Sequence, residues 1–260
     1  MYKPIRSDNN DLSHTSFSSP FDLGFFRIAL RDFTDLRKIC YAGILTALSV
    51  AFQAFSIRLI PGLSIQFSFI VSALAGAVLG PYMSFVRGCL SDIIGFFAFP
   101  SGSTFFLGYT LSAGLSALTY SLFFYRQKVT FARILGAKAI VNVFVNASLG
   151  SCWNVMILSA NKGYMAYFAT AISKNLIMFP LEVCVLILAF SSLIPILYRV
   201  GAVHSDTELK YSKNQLIITA VLALIIAILI VLWFIYREPL SSKLKEIYSE
   251  VKNFMNKLLT

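Results

Sequence analysis

Residues 76–113 read GAVLGPYMSFVRGCLSDIIGFFAFPSGSTFFLGYTLSA. One apolar run ends here at Gly80-Pro81. A second, from about Tyr82 to Phe99, carries Arg87 and Asp92 inside it. The segment PSGST then breaks the chain, and a third run begins near Phe105. Proline cannot continue a helical backbone ladder and glycine favours a turn. A helix that crosses a bilayer needs roughly 20 mostly apolar residues, so these runs predict consecutive transmembrane helices.

The same pattern extends in both directions. Upstream, apolar runs cover about Ile39–Ile57, ended by Arg58 and Pro61-Gly62, and about Ile65–Leu79, which is short. Downstream, the run from Phe105 reaches Tyr125, and a basic loop, RQKVTFAR, leads to a fifth run at about Ile134–Leu158. After NKGYMAY a sixth extends from near Ala166 to near Tyr198, long enough to kink at Pro180. A polar linker precedes Leu216–Tyr236, the plainest apolar run in the chain. The tail SSKLKEIYSEVKNFMNKLLT spaces apolar residues at helical intervals among charges, so it reads as an amphipathic helix. Phe21–Leu36 fits either a surface-lying amphipathic helix or a simple lead-in. The start lacks the order of a secretory signal.

Composition agrees. The 260 residues are 57% hydrophobic and 13% charged, with a mean hydropathy of +0.75. A soluble domain carries about twice that charge, so a soluble single domain and a disordered chain are both excluded. The expected fold class is all-α: a polytopic membrane bundle of six helices with a seventh at the C-terminus. The expected divisions are 1–37 (extension), 38–199 (core), 200–213 (linker), 214–237 (seventh helix) and 238–260 (basic tail).

The net charge of +10 is spread between the apolar runs, which favours control of topology over nucleic-acid binding. With the N-terminus in the cytoplasm, six Lys/Arg before residue 39, four at 126–138 and three at 199–213 lie inside. Only Arg58 and Lys162 then fall in the outer loops. A seventh span would place Arg237 and four lysines outside, against that rule. Either this run does not cross fully, or its late position and three nearby glutamates weaken the rule.

No phosphate loop, nucleophile–base pair or metal-ligand spacing is present, so neither a metal nor another cofactor is expected. Cys40, Cys89, Cys152 and Cys184 each read as buried structural thiols. What stands out is a set of polar residues within apolar helices, which by default marks a functional lumen. Asn142, Asn146 and Trp153 are spaced by four and seven, within about 40° of one another at about 100° per residue. For Asn142 an interhelical hydrogen bond is the preferred reading, a contact of about 0.6–2 kcal/mol. For Asn146 and Trp153 a ligand pocket is preferred. Arg58 and Lys174 suit a carboxylate-bearing solute, although Lys174 also fits a side chain snorkelling outward.

Arg87 and Asp92 lie about 140° apart on one helix, so each is expected to find an ion-pair partner on a neighbour. Glu182, just after Pro180, is expected at a hinge or a polar contact between helices. Gly43, Ala47 and Ala51 form a stripe of small residues that serves close packing, either within the protein or against another subunit. The loop FPSGSTFFLGYT, with Phe105, Phe106 and Tyr109, fits both a lid over a pocket and an interfacial aromatic belt.

Several stretches together resemble the folate-family substrate-binding (S) components of energy-coupling factor (ECF) vitamin transporters. They are IRLIPGLSIQFSFI (57–70), the segment at 76–113, VNVFVNASLG with the following Cys152-Trp153, and KNLIMFPLEV (174–183). Gly80-Pro81, Asp92-x-x-Gly95 and Gly108-Tyr109-Thr110 are the most telling elements. The resemblance covers roughly residues 38–198. It implies a six-helix, non-enzymatic protein of the cell membrane that captures a vitamin at the outer face. It also implies work with a membrane coupling subunit and two ATPases. It assigns Gly43, Ala47 and Ala51 to docking on the coupling subunit. The implied folate pocket takes Asn146 and Trp153 for the pterin and Arg58 and Lys174 for the carboxylates, with Tyr109 beside them. The competing readings are an S component for another vitamin, a membrane enzyme centred on Asp92, Arg87 and Glu182, and a self-sufficient carrier. The enzyme reading requires those three groups to converge. The carrier reading fits poorly, because no internal repeat is visible.

Overall fold

The computed structural model describes residues 29–30, 33–55, 66–99, 105–158, 163–203, 217–218 and 221, with the backbone of 57–60 and 63–65. Six helices follow one another in these residues. They are α1 (Leu36–Ala54), α2 (Ser68–Leu79), α3 (Pro81–Ala98), α4 (Leu107–Phe124), α5 (131–158) and α6 (Tyr164–Arg199). A two-stranded antiparallel ribbon, β1 (Ile57–Ile60) and β2 (Leu63–Ile65), joins α1 to α2 and pairs Arg58 with Ser64. The expected seventh helix, the C-terminal tail and most of the N-terminal extension lie outside the described residues.

The breaks read from the sequence set the helix ends. Gly80 takes a φ of +79°, a conformation glycine adopts without strain, and Pro81 opens α3 at its first turn, where a missing N–H costs nothing. α1 starts earlier than the apolar run because Asp35 caps it, its side chain accepting from Arg37 N at 3.0 Å. α2 starts later than expected because Leu63–Ile65 is taken into the ribbon.

α5 is continuous but not uniform. It is α-helical over Phe131–Ile140, a π-helix over Val141–Leu149, and α-helical again over Gly150–Leu158. α6 runs unbroken through Pro180 and Pro195.

Buried side chains of α2, α4, α5 and α6 form the main core, with Ala77, Tyr120, Phe124, Ile134, Leu186 and Phe190 among them. α3 lies against α4 so closely that a Cβ on Gly88 would meet the Ala113 carbonyl oxygen at 2.8 Å. The outward faces are apolar: Phe97, Leu107, Met165 and Leu176 are each at least 70% exposed. Greasy outside and polar inside is what a lipid solvent requires. Residues 131–157 and 164–199 are each long and apolar enough to cross a membrane, and the whole is an α-helical membrane bundle. α2, with 12 residues, rises only about 18 Å, short of the roughly 30 Å hydrocarbon core.

Two expectations are corrected here. Cys40 and Cys152 are exposed on the bundle's outer surface; of the four thiols only Cys184 is buried. Lys138, counted with the cations at 126–138 on the cytoplasmic side, is not a surface charge. It is 2% exposed, deep in the bundle, because a carboxylate on α6 pairs with it.

Candidate functional site

α5 and α6 run antiparallel, and their polar faces meet. Lys138 Nζ lies 3.2 Å from Glu182 Oε2. Asn142 Nδ2 donates to the same oxygen at 2.9 Å, and Asn146 Nδ2 donates to Asn142 Oδ1 at 3.1 Å. Asn175 Nδ2 closes the network on the Asn142 carbonyl at 3.1 Å. Charge and hydrogen bonds are thereby matched inside a medium where an unpaired group is costly. Asn142 and Glu182 make the interhelical contacts expected of them.

Above this network lies a cavity of about 750 Å³, lined by residues of all six helices. On α1 and α3 its lining residues (Ser49, Gln53, Asp92, Phe96) fall in the halves nearest the ribbon, and on α4 the lining runs from Tyr109 down to Tyr120. Lys138, Tyr120 and Glu182 form its deep end. The opposite end of the bundle carries the basic turn after α4. There Lys38 Nζ and Arg126 Nε both donate to the buried Tyr125 hydroxyl, at 3.4 and 3.2 Å.

Of the five residues expected in the folate pocket, three line this cavity: Tyr109, Asn146 and Lys174. Tyr109 donates its hydroxyl proton to Asn154 Oδ1 at 2.9 Å. Among the described residues Lys174 has neither a hydrogen-bond nor an ion-pair partner, so its charge is available to a solute. Trp153 stands one layer back. Its indole N–H donates to Ser112 Oγ at 2.9 Å, and its ring packs at 5.7 Å from Phe106, which does line the cavity. The reason is the π-helix. Nine residues of slower winding shift the face extrapolated at 100° per residue, so Asn146, Gly150 and Asn154 continue the lining and Trp153 does not. Arg58 sits in β1, in the connection from α1 to α2; its side chain lies outside the description.

Gly43, Ala47 and Ala51 lie on an exposed face of α1, and a Cβ on Gly43 would meet nothing within 4 Å. The loop residues Phe105 and Phe106 line the cavity; residues 100–104 lie outside the description.

Arg87 and Asp92 are held by neutral groups, not by the expected ion pairs. Arg87, 2% exposed, donates to the Leu45 carbonyl at 3.4 Å and to Ser72 Oγ at 2.9 Å. Asp92 accepts from Thr110 Oγ1 at 2.7 Å. Arg87 does not line the cavity, whereas Asp92 and Glu182 do. The convergence required of a membrane enzyme is therefore not met by these three. Sequence reasoning missed Lys138, Tyr120 and Asn154 as cavity residues. A lysine and a glutamate that each interrupt an apolar run were the available signal for the first.

The family model described as ECF transporter, substrate-specific component, matches residues 37–190, more than half of the chain. A "Folate transporter FolT" of Clostridium novyi is 36% identical over 146 residues, 56% of this chain and 83% of that protein. One of Leuconostoc mesenteroides is 33% identical over 147 residues, 54% of this chain and 79% of its own. Among solved structures, the crystal structure of FolT bound with folic acid is similar with a TM-score of 0.51 at 30% identity. The match covers 57% of this chain and 88% of that one.

Proposed function

The chain belongs to the substrate-specific components of ECF transporters, and from that premise we propose that it captures folate at the outer face of the cell membrane. It then passes folate inward only in company with a membrane coupling subunit and two ATPases. Its relatives are transporter components, two of them named for folate. The observation that carries the reading is the open cavity at one end of the bundle, which combines Lys174, a cation with no partner among the described residues, with amides and aromatic rings. Folate has a flat heterocycle at one end and carboxylates at the other, and it needs both kinds of surface.

In this reading Lys174 receives the carboxylates, with Arg58 as the second cation assigned to them, and Asn146 and Tyr109 offer polar contacts along the wall. Trp153 supports the aromatic wall through Phe106. The exposed stripe Gly43, Ala47 and Ala51 docks α1 against the coupling subunit, where small side chains permit close approach. The N-terminus faces the cytoplasm, so the cavity opens outward. The segments 1–37, 38–199, 200–213, 214–237 and 238–260 act as extension, core, linker, additional transmembrane helix and basic tail.

Uptake of radiolabelled folic acid tests this in a host without folate uptake of its own. Expression of the chain with a coupling subunit and the two ATPases is expected to give uptake well above background, and the chain alone close to none. Equal uptake by the chain alone would contradict the division of labour and favour a self-sufficient carrier.

A further inference from the structure

α1 faces two ways. Gly43, Ala47 and Ala51 are exposed on the outside of the bundle, whereas buried Ser49 and half-buried Gln53 line the cavity. At about 100° per residue the stripe of small residues lies about 100–180° around the helix from the Ser49–Gln53 edge. One helix therefore borders the cavity on one side and carries the stripe on the other.

Among the described residues two side-chain hydrogen bonds tie α1 to α3, and they differ in what can reach them. Arg87 donates to the Leu45 carbonyl at 3.4 Å, away from the cavity wall. Near the ribbon, Gln53 Nε2 donates to the Ser91 carbonyl at 3.0 Å, and both of these residues line the cavity. Gly95 makes room for this second tie, because a Cβ there would collide with the Gln53 amide. The glycine of the Asp92-x-x-Gly95 element thus has a physical role. Within α3 the Ser91 carbonyl also accepts from Gly95 N in the helical ladder. It stays satisfied when Gln53 leaves, so releasing this tie strands no acceptor.

Building on the folate and docking readings, we infer that Gln53 is a positioning residue that links occupancy of the cavity to docking of α1. Its amide N–H donates to the Ser91 carbonyl when the cavity is empty, and to an acceptor oxygen of the ligand when it is filled. In the empty chain the tie holds the ribbon end of α1 against α3 and fixes how the stripe is presented. Folate carries carboxylate and amide oxygens, which compete for the same N–H. Filling the cavity frees that end of α1, and the loaded chain docks less tightly than the empty one. By linkage, docking weakens folate binding by the same factor, which favours release of the ligand once the complex has formed.

The test measures folic acid affinity of the purified full-length chain, alone and assembled with the coupling subunit and nucleotide-free ATPases. The unsubstituted chain should bind folic acid at least about fivefold more weakly in the complex, the low end of typical couplings between sites. Gln53→Leu should bind it about three- to tenfold more weakly than the unsubstituted chain when alone, the range for one neutral hydrogen bond. Its affinity should then differ by less than about twofold between the two settings. Gly95→Ala, which keeps the amide but fills its notch, should shrink the difference likewise. A side chain that only supported the fold would lower affinity in both settings and leave their ratio unchanged. Should Gln53→Leu fail to fold, Gln53→Ala, which removes the amide without adding apolar bulk, takes its place. An undiminished ratio in the Gln53 variant, or equal affinity in the two settings for the unsubstituted chain, would overturn the inference and leave both readings standing. Failure to bind folic acid at all would overturn the folate reading, failure to assemble would overturn the docking reading, and the inference would fall with either.

Discussion

Lys138 and Glu182 are joined across α5 and α6 at 3.2 Å, with Lys138 Nζ also 4.1 Å from the centre of the Phe69 ring. The lysine is thus held between a carboxylate and an aromatic face, and its charge is offset at the deep end of the cavity. Removing one member of such a pair leaves an uncompensated buried charge, which costs about 3–5 kcal/mol. Lys138→Met is therefore expected to lower the unfolding temperature markedly. Adding Glu182→Gln, which removes the stranded charge, should recover most of the loss. Thermal melts of the single and double variants check this, and strictly additive losses would contradict it.

Helix contact at Gly88 sets a second expectation. A Cβ there would sit 2.8 Å from the Ala113 carbonyl oxygen and 3.0 Å from Ala117 Cβ. Because the obstacle is partly backbone, it cannot swing aside. Gly88→Val should destabilise the bundle by about 1–3 kcal/mol, the usual cost of overpacking. Gly43→Val, on an open face, should cost much less. Comparing the two melts decides.

Separation of binding from assembly provides a third. Gly43→Leu and Ala47→Leu place bulk on the exposed face of α1, away from the residues that line the cavity. Folic acid binding to the purified chain should stay within about twofold. Co-purification with the coupling subunit, and uptake with it, should fall at least tenfold, or by about 1.4 kcal/mol. Loss of binding in step with loss of uptake would remove the docking role.

Trp153 is expected to act through its neighbours. Trp153→Phe loses the bond to Ser112 and part of the packing on Phe106. Folic acid affinity should drop roughly two- to tenfold, the equivalent of about one neutral hydrogen bond. Complete loss of binding would show that the indole meets the ligand itself.

These expectations also show where the sequence was readable. Gly80-Pro81 marks a helix boundary because both residues act locally, so it appears in the structure where it was expected. Lys138 could not be placed that way. Its partner lies on another helix, and near the start of the fifth run it reads as one more cation of the cytoplasmic side. Trp153 was placed on the cavity face by arithmetic that holds for an α-helix, and the π-helix at Val141–Leu149 leaves no mark in composition. Tyr120 is a single aromatic among many, and nothing in its sequence surroundings marks it as a cavity residue. Lys174 and Asn146 could be read as cavity-facing because polar groups inside apolar runs are costly wherever the chain takes them, whereas Tyr109 entered through the aromatic cluster of its loop.

The central claim, that the cavity beneath the ribbon holds folate by its acidic end, is tested most directly by equilibrium binding of radiolabelled folic acid to the purified chain and to Lys174→Ala. One saturable site per chain is expected, weakened about 10- to 100-fold by the substitution, the range for a charge-assisted hydrogen bond. No saturable binding, or equal affinity in the two proteins, would contradict it.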